Sequence, residues 1–262
     1  FYYRAVVTNI LGNSSAQNIS SIAEISIKAS QDRALANETK NSSDMPSGEG
    51  TEQNPYNIST AEQLMWFAEE INAGNSGLCA NLTGDIDLTE ILKEKEWIPI
   101  GDKAAGKKYE GTFDGGSFRV SGLKIDNDKQ YQAFIGHAEG AAVKNLIVSG
   151  DISTSNNYAA GIIAYGNSVE ISDCINEVNV TSTGKGSIGG VISWLTGTGS
   201  KIENSVNKGN ISGSGTYVGG ITGSLPKGNN IERCSNEGSV KNNNKSTGGI
   251  KGPIAGEIKE NF

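Results

Sequence analysis

"YVGGITGS", residues 217–224, is one of four related stretches in this chain. "YAAGIIAY" occupies 158–165, "SIGGVISW" occupies 187–194, and a degraded copy, "TGGIKGPI", begins at Thr247. Aligned on the paired small residues, Gly161, Gly190, Gly220 and Gly249 return at steps of 29, 30 and 29 residues. A second segment follows each complete copy: "ISDCIN" at 171–176, "IENSVN" at 202–207 and "IERCSN" at 231–236. A third comes directly after, as "EVNVTS", "KGNISG" and "EGSVKN". An earlier unit beginning at Tyr131 keeps the frame, with Phe134 and Leu146 in apolar columns. Each unit therefore offers three short strand-like runs divided by turn residues. None has helical spacing, and none is long enough to be stable alone. Tandem units of this kind predict the coils of a parallel β-helix, whose strands pair from coil to coil at about 4.8 Å.

The columns of such a stack make specific predictions. Ile171, Ile202 and Ile231 form an aliphatic pile, and Ile162, Val191 and Ile221 point inward behind the small pair. Cys174, Ser205 and Cys234 share a column as small buried fillers. Two coils apart, Cys174 and Cys234 lie beyond disulfide reach. Asn176, Asn207 and Asn236 form an amide ladder at a corner, because buried turn backbone needs partners. Glu177, Lys208 and Glu237 alternate in sign, while Asp173, Asn204 and Arg233 avoid like charges. Both sets read as solvated outer faces.

Composition narrows the function. Of 262 residues 35 are glycine, against a usual share of about 7%, and only 6% are aromatic, which disfavours a wide core. A net charge of −7 argues against nucleic acid or an anionic membrane surface as partner. No apolar run reaches the roughly 20 residues that span a bilayer. The chain opens in mid-pattern without a signal peptide and "TGGIKGPIAGEIKENF" begins an unfinished coil, so a piece of a larger polypeptide is expected. Cys79, Cys174 and Cys234 lack zinc spacing. His137, the one histidine, has no recognisable triad partner. The richest acidic region holds Asp85, Asp87, Asp102, Asp114, Asp126 and Asp128. Asp114, in "TFDGG", reads as an Asx turn. Neither a GGxGxD repeat nor an EF-hand loop occurs, and no cofactor is expected.

Residues 60–73, "TAEQLMWFAEEINA", are different in kind. Ser59 or Thr60 opens a capping box with Glu62 or Gln63, and Leu64, Phe67, Ala68 and Ile71 form a helical apolar stripe. Asn72 to Gly77 supplies the stop. The expected role is to cover the first coil, since a bare solenoid end is an exposed sheet edge.

Downstream, "WIPIG" and "GTFDGGSFRVSGL", followed by glycine-pair repeats over 131–255, carry a family resemblance. Residues 50–255 resemble bacterial surface proteins with GLUG-type repeats, although Ser117-Phe118 replaces the usual Gly-His. The resemblance implies a right-handed β-helix in a large secreted or wall-attached, adhesin-like protein. Some members precede a metallopeptidase domain, but no HExxH motif is present. Residues 1–29 look like the last two strands of an immunoglobulin-like module, 30–54 read as a linker, and 55–262 as the β-helix with its cap. In a bacterial source the Asn-x-Ser/Thr sequons at Asn13, Asn18, Asn41, Asn57, Asn81, Asn179 and Asn210 carry no glycosylation inference.

Three functional readings follow. The first is a non-catalytic surface module that binds a glycan or a host extracellular protein. Tyr158, Trp194 and Tyr217 near the repeat origin would stack on sugar rings, although corner packing accounts for them equally well. The second is a polysaccharide lyase or hydrolase, which needs converging carboxylates. The third is a spacer for a distant domain. No residue is assigned a catalytic, metal or cofactor role.

Overall fold

The computed structural model describes residues 44–243, 248–250 and the strand Glu257–Lys259. The immunoglobulin-like remnant at 1–29 and the first part of the linker lie outside the described residues. The chain divides into Phe1–Asp44 and Met45–Phe262, and the second unit is a parallel β-solenoid.

Its longest wall has eight parallel strands, one per coil, running from Tyr56–Ile58 through Thr112–Asp114 and Glu170–Ser172 to Glu257–Lys259. Ile171 pairs with Ile202 and Ile202 with Ile231, so the aliphatic pile is in register. A second wall contains Arg119–Asn127, Ile147–Thr154 and Ile175–Ser182. A third runs through Ile135–Glu139, Ile163–Asn167, Ile192–Thr196 and Thr222–Ser224.

The coil has one wall more than the three strand-like runs predicted. Ala159–Ala160, Ser187–Gly189 and Tyr217–Gly219 pair as a short sheet of their own. The small residues that begin the repeat thus end this fourth wall, just before a sharp bend. Their stacking is direct: the Gly161 N–H donates to Gly190 O at 2.8 Å, and the Gly190 N–H donates to Gly220 O at 3.0 Å. A Cβ on Gly161 or Gly190 would overlap the carboxamide of Asn176 or Asn207. Glycine is required here because the amide ladder occupies the space. That ladder is continuous: Asn176 Nδ2 donates to Asn207 Oδ1, and Asn207 Nδ2 to Asn236 Oδ1, each at 2.6 Å.

Ile162, Val191 and Ile221 are fully buried, as are Cys174, Ser205 and Cys234. The Cys174 N–H donates to Ser205 Oγ at 3.2 Å, and burial pushes the Cys174 thiol up to about 12. The column Asp173, Asn204, Arg233 is exposed, as expected of an outer face, and forms a turn. With Ser117 and Asn145 these residues adopt left-handed φ between 49° and 64°, where asparagine and aspartate are tolerated best. Glu177 pairs with Arg119, two coils away.

The helix, α1, spans Ala61–Ala73. Thr60 Oγ1 accepts from the Gln63 N–H at 3.2 Å, and Gln63 Oε1 accepts from the Ser59 N–H at 2.8 Å. Gly74, left-handed at φ 118°, closes the other end. Leu64, Phe67, Ala68 and Ile71 are buried over the largest core side chains. Phe67 lies 6.0 Å from Tyr109 and 5.9 Å from Phe113, and Phe113 lies 5.5 Å from Phe134. The core is thus aromatic beneath the cap and aliphatic along the repeats. The described part of the predicted linker is tied to the first coils. Ser47 bridges Asn57, and the Cys79 N–H donates to Gly50 O at 2.8 Å.

Candidate functional site

Two surface features follow from this architecture. The first is the crease where the short fourth wall folds back against the third. Small residues make the bend close: Ala133, Ala160 and Ala164 cluster beneath Tyr131, and Ser187 and Ser193 exchange side-chain-to-carbonyl hydrogen bonds of 2.5 Å. Aromatic side chains from both walls close the crease. Tyr131 and Tyr158 stack face to face with centroids 5.0 Å apart, and Tyr131 meets Tyr165 edge-on. Trp194 sits 5.5 Å from Tyr158 and 6.0 Å from Tyr217. Tyr131 and Tyr158 belong to successive coils, so their stacked faces turn along the solenoid axis toward each other. Of the two readings of these aromatics, the geometry favours corner packing. Tyr131 and Tyr158 each cover one face of the other's ring, and Trp194 meets Tyr158 edge-on and Tyr217 at a tilt.

His137 lies at the same edge and is buried. Its Nδ1 is 2.7 Å from the Lys107 carbonyl, so Nδ1–H donates there. Nε2 is left with a bare lone pair, without a hydrogen-bond partner, 3.5 Å from Glu139 Oε1. Burial pushes the imidazole below its usual value, against the opposing pull of Lys107 O and Glu139. Lys103 covers the neighbouring Tyr165 ring at 4.3 Å.

Four of the six aspartates of the acidic region have side-chain partners. Asp87 Oδ1 accepts from the Thr89 N–H and hydroxyl, Asp85 from the Arg119 N–H, and Asp102 from the Ala104 and Ala105 N–H groups. Asp114 makes the expected Asx turn with Gly116, at 2.9 Å, and also receives Asn145 and Lys144. Burial alone would raise the Asp114 carboxyl, but these donors outweigh it and hold it below its ordinary value. Among the described residues no three His, Cys, Asp or Glu side chains converge as metal ligands would.

The second feature is a cleft of about 510 Å³ between α1 and the "WIPIG" segment. Asn72 fixes that segment to the helix, donating to Pro99 O at 3.0 Å and accepting from the Gly101 N–H at 2.9 Å. Trp97 and Ile100 go inward, Trp97 stacking on Phe134 at 5.3 Å, while Ile98 turns outward and is 62% exposed. Met65 and Ile98 form the apolar side of the cleft, which continues into a groove past Ala68 and Ala73. The opposite side is polar and tied together. Asn127 Nδ2 donates to Glu96 Oε2 at 2.8 Å and to Gln132 Oε1 at 3.3 Å, and Gln132 Nε2 donates to Gln130 O at 2.6 Å. Tyr131 joins this cleft to the aromatic crease. Sequence reading missed the cleft, although the outward isoleucine between two inward residues was its available signal.

Comparison with known proteins supports the fold and touches the function lightly. No family model matches the chain. A protein of Evansella cellulosilytica named "Putative Gly-rich membrane protein" is 38% identical over 111 residues, covering 41% of this chain and 12% of that protein. A crystal structure of a "putative immunoglobulin A1 protease" from Bacteroides ovatus superposes with a TM-score of 0.66 at 23% identity. It covers 80% of this chain and 66% of the other. The chain therefore spans a small fraction of its sequence relative, and the structural likeness is one of fold. No helix among the described residues is long and apolar enough to cross a membrane.

Proposed function

We propose that this chain is a non-catalytic, adhesin-like module of a secreted or wall-attached bacterial surface protein of the GLUG-repeat kind. The observation that carries the reading is the local employment of its reactive groups. His137 is held by Lys107 O, the cysteines are buried fillers, and Asp87, Asp102 and Asp114 brace their own turns. Hydrolysis or elimination needs such groups to converge around a bond. Likeness to a protein named for a membrane location supports a surface setting. A rigid stack with flat walls suits broad contact or spacing.

The test is an array of glycans and extracellular-matrix proteins, run beside incubation with pectin, alginate and glycosaminoglycans. Saturable binding without new reducing ends or unsaturated product is the expected result. Sustained turnover would replace this reading with the enzymatic one, and silence in both assays would leave a spacer.

A further inference from the structure

We infer that the cleft between α1 and the Trp97–Gly101 segment is a saccharide-binding site, and that its ligand is a neutral oligosaccharide. The inference deepens the adhesive reading above and rests on it. Three observations carry it. The first is size and shape: about 510 Å³, open at the surface and continuous with an apolar groove of about 330 Å³, lies in the range of ligand pockets.

The second is the division of chemistry between its two sides. Met65 and Ile98 offer an apolar surface, and Ile98 is one of only two large apolar side chains among the described residues that are well exposed. Facing them, hydrogen bonds from Asn127 to Glu96 and Gln132, and from Gln132 to the Gln130 backbone carbonyl, fix one carboxylate and two carboxamides before any ligand arrives. A pyranose has the matching pair of surfaces: axial C–H groups on one face and hydroxyls around its edge. A wholly apolar peptide side chain would leave the polar side unmatched, at the cost of desolvating it.

The third observation is charge. Glu69, Glu96 and Asp102 line the cleft with Lys95 and Lys129, and the whole chain carries −7. That balance gives uronate and sulfated chains no surplus of cations to pair with, and makes uncharged sugars the better-matched class. Tyr131 gives the site a direction. The ligand would lie against Ile98 with its reach along the solenoid axis, toward the hydroxyl edges of the crease.

The test uses the full chain titrated with chitohexaose, cellohexaose and xylohexaose, with a polygalacturonate oligomer as the charged comparison and a leucine-rich peptide as the apolar one. Binding is read by calorimetry and by the perturbed amide resonances. One or more neutral hexaoses are expected to bind and to perturb residues 95–101 and 127–132. Affinity should fall about tenfold or more in Ile98→Asp and in Asn127→Ala, which removes the amide that bonds Glu96 and Gln132. Ile98 is exposed and Asn127 half-buried, and an unchanged circular dichroism spectrum verifies the fold. Binding of the peptide or the uronate at the cleft in preference to neutral sugars overturns the ligand assignment. Glycan or matrix-protein binding that survives Ile98→Asp unchanged overturns the site while leaving the adhesive role standing. Absence of any binding overturns both.

Discussion

Asn207 sits at the centre of the internal ladder with no solvent exposure, donating to Asn236 and to Gly209 O while accepting from Asn176. Asn207→Ala takes one partner each from buried Asn176, the buried Gly209 carbonyl and half-buried Asn236, and unpaired buried groups cost about 1–3 kcal/mol each. The expected loss, about 3 kcal/mol after local relaxation, will appear as a lower denaturant midpoint. Arg233 presents the opposite case. Its left-handed backbone, φ 51°, costs a non-glycine residue about 1–2 kcal/mol, whereas its exposed ion pairs with Glu203 and Glu232, at 3.8 and 3.6 Å, are worth little. Arg233→Asn should therefore stabilise, by about 1 kcal/mol. His137 sets a pH dependence. Above the ordinary histidine value both folded and unfolded chains hold the ring neutral. Below it the unfolded chain takes the proton first, because burial depresses the folded value. Stability should thus decline as pH falls below about 6.5. His137→Gln should flatten that limb of a melting-temperature profile measured above the carboxylate range.

At the scale of elements, α1 is the part most plainly written in the sequence. Its capping pair and its four-residue stripe follow rules that local spacing expresses without help from the rest of the fold. Truncating the stripe at Phe67, fully buried against Tyr109 and Phe113, should cost about 3–5 kcal/mol. Calorimetry would show the loss as early melting. The short fourth wall was illegible for the converse reason: strands such as Ala159–Ala160 carry no β-forming residues, and only pairing across coils makes them strands. The left-handed turn column was legible only as a charge pattern, since Arg233 defies the usual preference for asparagine or glycine there. The cleft was hidden for a further reason. It is formed by Asn72 clamping a segment 27 residues away, a contact that no local pattern announces. A second, exposed ladder also went unread. Asn179 donates to Asp151 at 3.0 Å, and Asn210 to Asn179 at 3.2 Å, and the pairing of those rungs had to be known first.

For the whole molecule, stability is a sum over coils and the contacts between them, as in other repeat proteins. Ser187 pairs with Tyr217, and Ile188 with both Ala159 and Val218. Excising residues 187–216 would therefore lay the rung of Tyr217 directly on that of Tyr158. Gly220 would meet Gly161, Ile231 would meet Ile171, and Asn236 would meet Asn176. The shortened chain should keep a β-sheet spectrum and a single, earlier melting transition. A deletion of equal length over 60–89, which removes α1 and the strands Ala80–Leu82 and Ile86–Asp87, should abolish folding. Because each rung seats on any other, unequal crossing-over between copies of the repeat can lengthen or shorten such a protein in whole-coil increments of about 4.8 Å. Reach becomes a heritable dimension, adjustable by recombination without a single point mutation in the cap or the cleft.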